Sequence, residues 1–400
     1  MNMQSVRRFA KRVLPSNVYS AIVRHAVGPV RSYKRRLLFS LRSYKRRLLF
    51  SLWPAFPRKY QYPSLLSIFL TTRCNLRCFI CRREGFKGED LKFENIYKLE
   101  KAIRYARTID LTGWGEPFLY PRFEEVLNYI YSLNPRGELI QITTNGTRLS
   151  EHAAELLRGH LHLLVISLNA ATAPTYNRDM EGGNFEDTLL RIRAFLSALE
   201  GKGRSKVLLH FVAHTENFRE IPDFVVLANN LGISAVSIGQ YLVGIPEHVR
   251  YSLLHVKQDY NAVVDRAQDL GTKLGVQVHA RRFTQGQKAR FSQECREPFD
   301  SCYITVSGDV APCCFCGSYS TGNAYETSFE AVWFGDAYRK LREKRYLLAC
   351  QKCMPFIPLD DYSAHFTAYF KETKEFKAIE QNFMPRREVD GQSEQERTMP

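Results

Sequence analysis

From residue 63 onward, short runs of β-branched and apolar residues alternate with stretches of helical periodicity, and this alternation leaves few architectures open. The runs at 65–70, 109–112, 139–143, 163–168, 207–212 and 235–238 read as strands. Between them, segments 93–107, 123–133, 152–157, 185–199 and 221–231 carry apolar residues near spacings of three and four, and read as helices. Alternating strands and helices imply a parallel sheet covered by helices. Six such units over about 180 residues give an α/β fold, a partial (β/α)6 TIM-like barrel short of the eight units of a closed one. Reactive groups in such folds gather at the C-terminal ends of the strands, so the residues just after each run carry the functional reading.

The ten cysteines fall into two groups, Cys74–Cys81 and Cys295–Cys353. Length, clustering and the lack of a signal-peptide pattern favour metal over disulfides. The first group, Cys74-x3-Cys78-x2-Cys81, follows the first strand directly. Three thiolates on one tight loop complete neither a four-coordinate zinc site nor the ligand set of a [4Fe–4S] cluster, so in the cluster case one iron stays open to another ligand. The competing readings are a zinc site completed by a distant His or Cys, and buried inert thiols.

The cysteine spacing after the first strand resembles the signature of the radical S-adenosylmethionine superfamily, and three further segments match in order. Leu111-Thr112-Gly113-Trp114-Gly115-Glu116-Pro117 follows the second strand and is similar to the family's GGEP segment. Thr143-Thr144-Asn145-Gly146 follows the third, and Ser167-Leu168-Asn169 ends the fourth. The resemblance implies that Cys74, Cys78 and Cys81 ligate a catalytic [4Fe–4S] cluster. It further implies that Gly113, Gly115, Glu116, Thr144, Asn145, Ser167 and Asn169 contact S-adenosyl-L-methionine, whose amino and carboxylate groups chelate the open iron. The chemistry implied is reductive cleavage of that cofactor to a 5′-deoxyadenosyl radical, which takes a hydrogen atom from a peptide or small-molecule substrate. An electron donor such as flavodoxin or ferredoxin is the expected partner. Two departures concern packing and not ligation: Ile80 stands before the third Cys, where relatives often carry an aromatic residue, with Phe79 one position earlier, and Trp114 interrupts the glycines.

The second group opens with Cys295, twelve residues, Gly308, four residues and Cys313, and closes with Cys350-x2-Cys353. It resembles the SPASM or twitch module that binds auxiliary clusters in many peptide-modifying radical enzymes. Gly322-Asn323, a helix at Ala331-Val332-Trp333 and Leu341-Arg342 fit that module. The cysteine set for a second auxiliary cluster is missing, so the resemblance implies one auxiliary [4Fe–4S] cluster on Cys295, Cys313, Cys350 and Cys353. Cys302, Cys314 and Cys316 remain as substitutes for one of these, as buried side chains, or, for Cys314 or Cys316, as hydrogen-atom donors near substrate. The histidines are scattered and receive no metal role.

The net charge of +16 is a property of one end of the chain. Residues 1–60 hold 15 Lys or Arg and no Asp or Glu, which leaves 57 − 15 = 42 bases against 41 acids in the rest. A neutral body with a basic arm points to surface docking, and no nucleic acid is expected as a partner. The arm carries RSYKRRLLFSL twice, at 31–41 and 42–52. Eleven residues return a helix nearly to phase, so both copies present one face, suited to an anionic membrane surface or to plain solvent. No apolar run spans a bilayer, and the expected location is cytoplasmic, peripheral to the membrane where the arm docks. The domain division is then a basic arm at 1–60, a barrel at 61–285, a cysteine module at 290–360, and a C-terminal helix and polar tail at 361–400. The rival reading is a non-enzymatic zinc protein with a membrane- or nucleic-acid-docking arm; it explains the second cysteine group and leaves the ordered post-strand motifs without a role.

Overall fold

The structure, a computed structural model, describes residues 61–81, 87–199, 201–243, 246–283, 297–314 and 320–344. The arm, Cys295, Cys316, Cys350, Cys353 and the C-terminal tail lie outside the described residues.

Seven parallel strands appear in chain order: β1 (Leu65–Ile68), β2 (Thr108–Asp110), β3 (Ile140–Thr144), β4 (Leu161–Ser167), β5 (Val207–Ala213), β6 (Ala235–Gln240) and β7 (Gln277–Ala280). Two more follow, β8 (Ser301–Ile304) and β9 (Val310–Ala311). The sheet order is β7-β6-β5-β4-β3-β2-β1-β8-β9, with free ends at β7 and β9, so the barrel is partial and open, as the alternation implies.

The helices are α1 (Glu100–Tyr105), α2 (Phe123–Leu133), α3 (Glu151–Leu157), α4 (Ala173–Asp179), α5 (Phe185–Ala198), α6 (Ile221–Asn230), α7 (Lys257–Leu274), α8 (Glu297–Asp300), α9 (Phe329–Trp333) and α10 (Asp336–Lys344). In α2 the buried set Phe123, Val126, Leu127 and Ile130 follows the three-and-four spacing, which turns one stripe onto the sheet. Ser150 and Asn184 cap α3 and α5 by accepting the N–H groups of Ala153 and Asp187 at 3.1 and 3.0 Å. The strands alternate in burial: in β5, Val207, Leu209, Phe211 and Ala213 are buried against the helices, and Leu208, His210 and Val212 face the opposite way.

Three features depart from the sequence reading. Segment 93–107 divides into a 3-10 turn (Phe93–Leu99) and α1, which stops at Tyr105 because Arg107 N–H already bonds to Ser64 O as pairing with β1 begins. The barrel has a seventh strand, β7, with α7 before it, beyond the six units of the periodicity; the buried positions Tyr260, Val263, Val264, Ala267 and Gly271 of α7 keep a helical stripe in an otherwise polar segment. The cysteine module does not stand apart from the sheet, since β8 pairs parallel with β1, Ser67 opposite Tyr303. β9 then turns back antiparallel, and α9 and α10 bury Phe329, Trp333 and Tyr338 against it, with the Arg342 guanidinium 4.2 Å over Trp333.

Candidate functional site

The loop after β1 is held by its neighbours more than by itself. Arg73 donates to Asp90 Oδ1 and to Leu119 O at 3.0 and 2.8 Å, which fixes the entry to the loop. Cys74 and Cys78 are partly buried and Cys81 is exposed. The Leu76 N–H and the Asn145 side-chain amide point at Cys74 Sγ from 3.5 and 3.6 Å. Among the described residues no three His, Cys, Asp or Glu side chains are grouped to hold a single ion. A tetranuclear cluster asks for less convergence, because each thiolate meets a different iron.

The loops after β2 and β3 close on this one. A Cβ on Gly115 would lie 2.3 Å from Arg73 O and 2.6 Å from Thr71 O, so only glycine admits the contact between the two loops. Gly113 packs in the same way on the Phe69 side chain, where a Cβ would lie 3.1 Å from Phe69 Cβ. Glu116 N–H bonds to Arg73 O at 2.7 Å, and its buried carboxylate accepts from Thr144 Oγ1 and Asn145 N–H, both at 2.8 Å, and from Phe118 N–H at 3.3 Å. Burial pushes the Glu116 carboxyl up to about 7, against the pull of these donors. An ionised carboxylate has about four acceptor positions, so one is left for a further donor. Asn145 is the hinge of the arrangement: its backbone N–H reaches Glu116, and its side chain reaches Cys74 and Asn75. The donor set therefore fits an iron–sulfur cluster beside a cofactor ammonium: three thiols on one loop, Cys74 faced by two N–H groups, and a buried carboxylate without an ion pair among the described residues.

Asn169, just past β4, has φ +57° and spans two strands, its Oδ1 accepting Val212 N–H and its Nδ2 approaching Met180 Sδ at 3.2 Å. Ser167 lies in register with His210 of β5. Of the seven residues expected at the cofactor, Gly115, Glu116, Thr144 and Asn145 are joined to one another and to the cysteine loop, Gly113 packs beneath it, and Asn169 reaches it through Met180.

A second wall of the cysteine loop has no counterpart in the sequence reading. At the end of α4, Met180 Sδ lies 3.5 Å from Cys78 Sγ, Glu181 O accepts Arg77 N–H at 2.8 Å, and Gly182, at φ +90°, packs on Asn75 O. Asp179 there pairs with His214 at 2.9 Å, both nearly fully buried. Burial opposes the charged form of Asp179, yet the hydrogen bonds from His214 and Arg178 outweigh it and hold the carboxyl below its usual range. Phe79, one position before Ile80, stacks edge-on against His214 and packs on Tyr241, His248 and Tyr251, so the aromatic contact of this loop turns toward β5 and β6. The only sequence sign of this wall is a chemistry-bearing residue, His214, directly after a strand.

In the second group, Cys302 is buried within β8, Cys313 is partly buried and Cys314 is exposed. Burial pushes the Cys302 thiol up to about 12. It faces the apolar side of the sheet, as a packing side chain does.

The profile of the radical SAM superfamily matches residues 68–228, and that of an iron–sulfur cluster-binding domain, SPASM, matches residues 295–354. A tungsten-containing aldehyde ferredoxin oxidoreductase cofactor-modifying protein of Pyrococcus furiosus is 25% identical over 74% of this chain and 87% of its own length. Probable GTP 3′,8-cyclases of Saccharolobus islandicus are 29% identical over 43% of this chain, which spans 55% of their length. The SuiB protein of Streptococcus suis, solved with S-adenosylmethionine, shares the fold at a TM-score of 0.56 and 17% identity, over 85% of this chain and 80% of that one. The same protein solved with its precursor peptide SuiA gives 0.52 and 18%, over 75% and 71%.

Proposed function

Because the chain belongs to the radical SAM superfamily and carries an iron–sulfur cluster-binding SPASM module after its barrel, we propose that it cleaves S-adenosyl-L-methionine reductively and takes a hydrogen atom from a peptide or small-molecule substrate. When bound, a [4Fe–4S] cluster supplies one electron to the sulfonium so that a carbon–sulfur bond breaks. Cys74, Cys78 and Cys81 are the ligands in this reading, with one auxiliary cluster on Cys295, Cys313, Cys350 and Cys353. Glu116 accepts from the cofactor ammonium at its free acceptor position, Asn145 orients the loop beneath it, and Gly113, Gly115, Thr144, Ser167 and Asn169 complete the pocket. The observation that carries the reading is Asn145, which ties the Glu116 carboxylate to the Cys74 thiol in one hydrogen-bonded unit.

The corresponding domains are 61–285 for the barrel and 290–360 for the module, with a small one-electron donor such as flavodoxin or ferredoxin as partner. The arm at 1–60 docks on an anionic membrane surface in this scheme; equal pelleting with liposomes by the full chain and by a chain starting near Pro54 would remove that role. Among the described residues no helix is long and apolar enough to cross a membrane.

The test is iron, sulfide and zinc content together with dithionite-dependent 5′-deoxyadenosine formation, for the anaerobically purified protein and its Cys74→Ala, Cys78→Ala, Cys81→Ala triple variant. The reading requires about eight irons per chain falling to about four, with cleavage abolished. Zinc in place of iron after reconstitution, with no 5′-deoxyadenosine, returns the protein to the non-enzymatic zinc class.

A further inference from the structure

The inner face of a parallel barrel is ordinarily filled by Val, Ile and Leu. Here it is polar on the side nearest the cysteine loop. Leu66, Ile68, Ile109, Cys302 and Ile304 all lie in the core beneath the helices, so the alternating positions Ser67, Asp110 and Tyr303 point to the lumen. These three stand in one row across β2, β1 and β8, Asp110 opposite Ser67 and Ser67 opposite Tyr303.

The row is rich in acceptors and lacks a cation. The Asp110 carboxylate is 7% exposed, and its Oδ1 accepts the Thr112 N–H at 3.0 Å, which secures the turn after β2. Glu297, at the start of α8, acts on the same tyrosine: the Tyr303 hydroxyl is raised above its usual range by burial first and then by Cys314, Glu297 and Asp110. Glu297 Oε2 is buried and makes no hydrogen bond. The Ser67 hydroxyl is fully buried beside Asp110, whose ionised form it favours, and makes no well-formed hydrogen bond of its own. Among the described residues neither carboxylate has an ion pair, and the nine strands contain one Asp and no Glu, Lys or Arg. A buried carboxylate without a counter-charge, together with a second carboxylate oxygen shut off from solvent and a buried hydroxyl without a well-formed bond, costs the fold desolvation energy unless something in the lumen restores the missing partners.

We propose that this row is the subsite for a cationic group of the substrate, an ammonium or guanidinium that pairs with Asp110 and Glu297 and donates to Ser67. The inference rests on the reading of the chain as a radical SAM enzyme, and it narrows the substrate to an amine- or guanidine-bearing molecule or side chain. An ammonium brings three donors and a guanidinium five, enough to meet both carboxylates and the hydroxyl together. A substrate whose recognised group is a phosphate or carboxylate meets repulsion here.

The test uses the full-length, anaerobically reconstituted protein with four probes of one chain length: butylammonium, butylguanidinium, 1-butanol and butyrate, followed by calorimetric titration. The cations are expected to bind about tenfold or more tightly than butanol, and butyrate weakest, as loss of a charged hydrogen bond predicts. Asp110→Asn should remove the preference for cations and leave butanol binding as it was. Glu297→Gln, outside the strands, gives a second variant with the same expectation if the first fails to fold. Equal affinities for butylammonium and butanol, or a preference that survives both substitutions, overturns the subsite. 5′-deoxyadenosine formation by the wild type is scored in the same preparation: its absence overturns the enzyme reading, whereas lost selectivity among the probes overturns only the subsite.

Discussion

In the loop after β1 the thiols stay within reach of polar and polarisable partners: Cys74 Sγ faces the Leu76 N–H and the Asn145 amide, and Cys78 Sγ rests against Met180 Sδ. One strand away, Cys302 lies opposite Leu66 in β8, wholly buried, its thiol pushed up to about 12. The two regions use the same side chain for opposite purposes. A thiol left partly open beside N–H donors is free to ligate, and a thiol wholly buried stays protonated and fills space. Cysteine count and spacing place both residues in metal-binding stretches, and only the surroundings separate them.

The sharpest way to break this contrast is Gly115→Ala. Its new Cβ would collide with Arg73 O and Thr71 O, so the cysteine loop has to move, at a cost of about 3 kcal/mol and with loss of most bound iron after anaerobic reconstitution. Full iron loading in that variant would show that close packing of the two loops does not hold the thiols in place.

Next in size is Glu116→Gln, read through pH. Burial raises the folded-state carboxyl from 4.5 to about 7, so the folded protein holds this proton more tightly than the unfolded chain. The stability from the protonated form is present at low pH and is lost as pH rises from 4.5 through 7. The glutamine variant should flatten that decline by on the order of 2 kcal/mol between pH 5 and 7.5 in urea unfolding of the cofactor-free protein. Asp110, raised to about 6 by burial, contributes a slope of the same sign, so the flattening is partial.

Cys302→Ala tests the other half of the contrast. It should lower stability by about 1.5 kcal/mol through the cavity it leaves, with iron content unchanged. A loss of iron equal to one cluster would move Cys302 into the ligand set. The smallest effect belongs to Met180→Leu, which keeps volume and removes only the sulfur contacts to Cys78 and Asn169. Less than about 1 kcal/mol of stability and full iron loading are expected, with any change confined to the electron paramagnetic resonance signal of the reduced cluster.

What the sequence makes legible follows the range of the interactions. Cys74, Cys78 and Cys81, Gly113 to Glu116, and Thr144 with Asn145 sit in short segments directly after strands, where local pattern and chemistry coincide. The wall at Asp179 to Gly182 is invisible because its contacts, Met180 with Cys78 and Glu181 with Arg77, join residues far apart in the chain and no local period marks them. His214 hides for a related reason: its meaning comes from Asp179 and Phe79, which reach it from two other loops. The strand β8 is four residues of a cysteine-rich stretch, and nothing within Ser301–Ile304 reveals that its partner is the first strand of the barrel. Asp110 is legible as a strand residue, but its importance emerges only when register sets it beside Ser67 and Tyr303.

The pairing of β1 with β8 also bears on the order in which the molecule can be completed. During synthesis β1 leaves the ribosome early, and one of its edges stays bare until Ser301–Ile304 has been made. A bare strand edge invites pairing with other chains, and parallel partners distant in sequence find each other slowly. The cysteine loop that follows β1 therefore hangs from a strand secured on one side only until the second cysteine group is in place. Maturation of the first site is in this sense a late event, gated by translation of the other, and a chain cut after residue 283 should aggregate before it can be loaded.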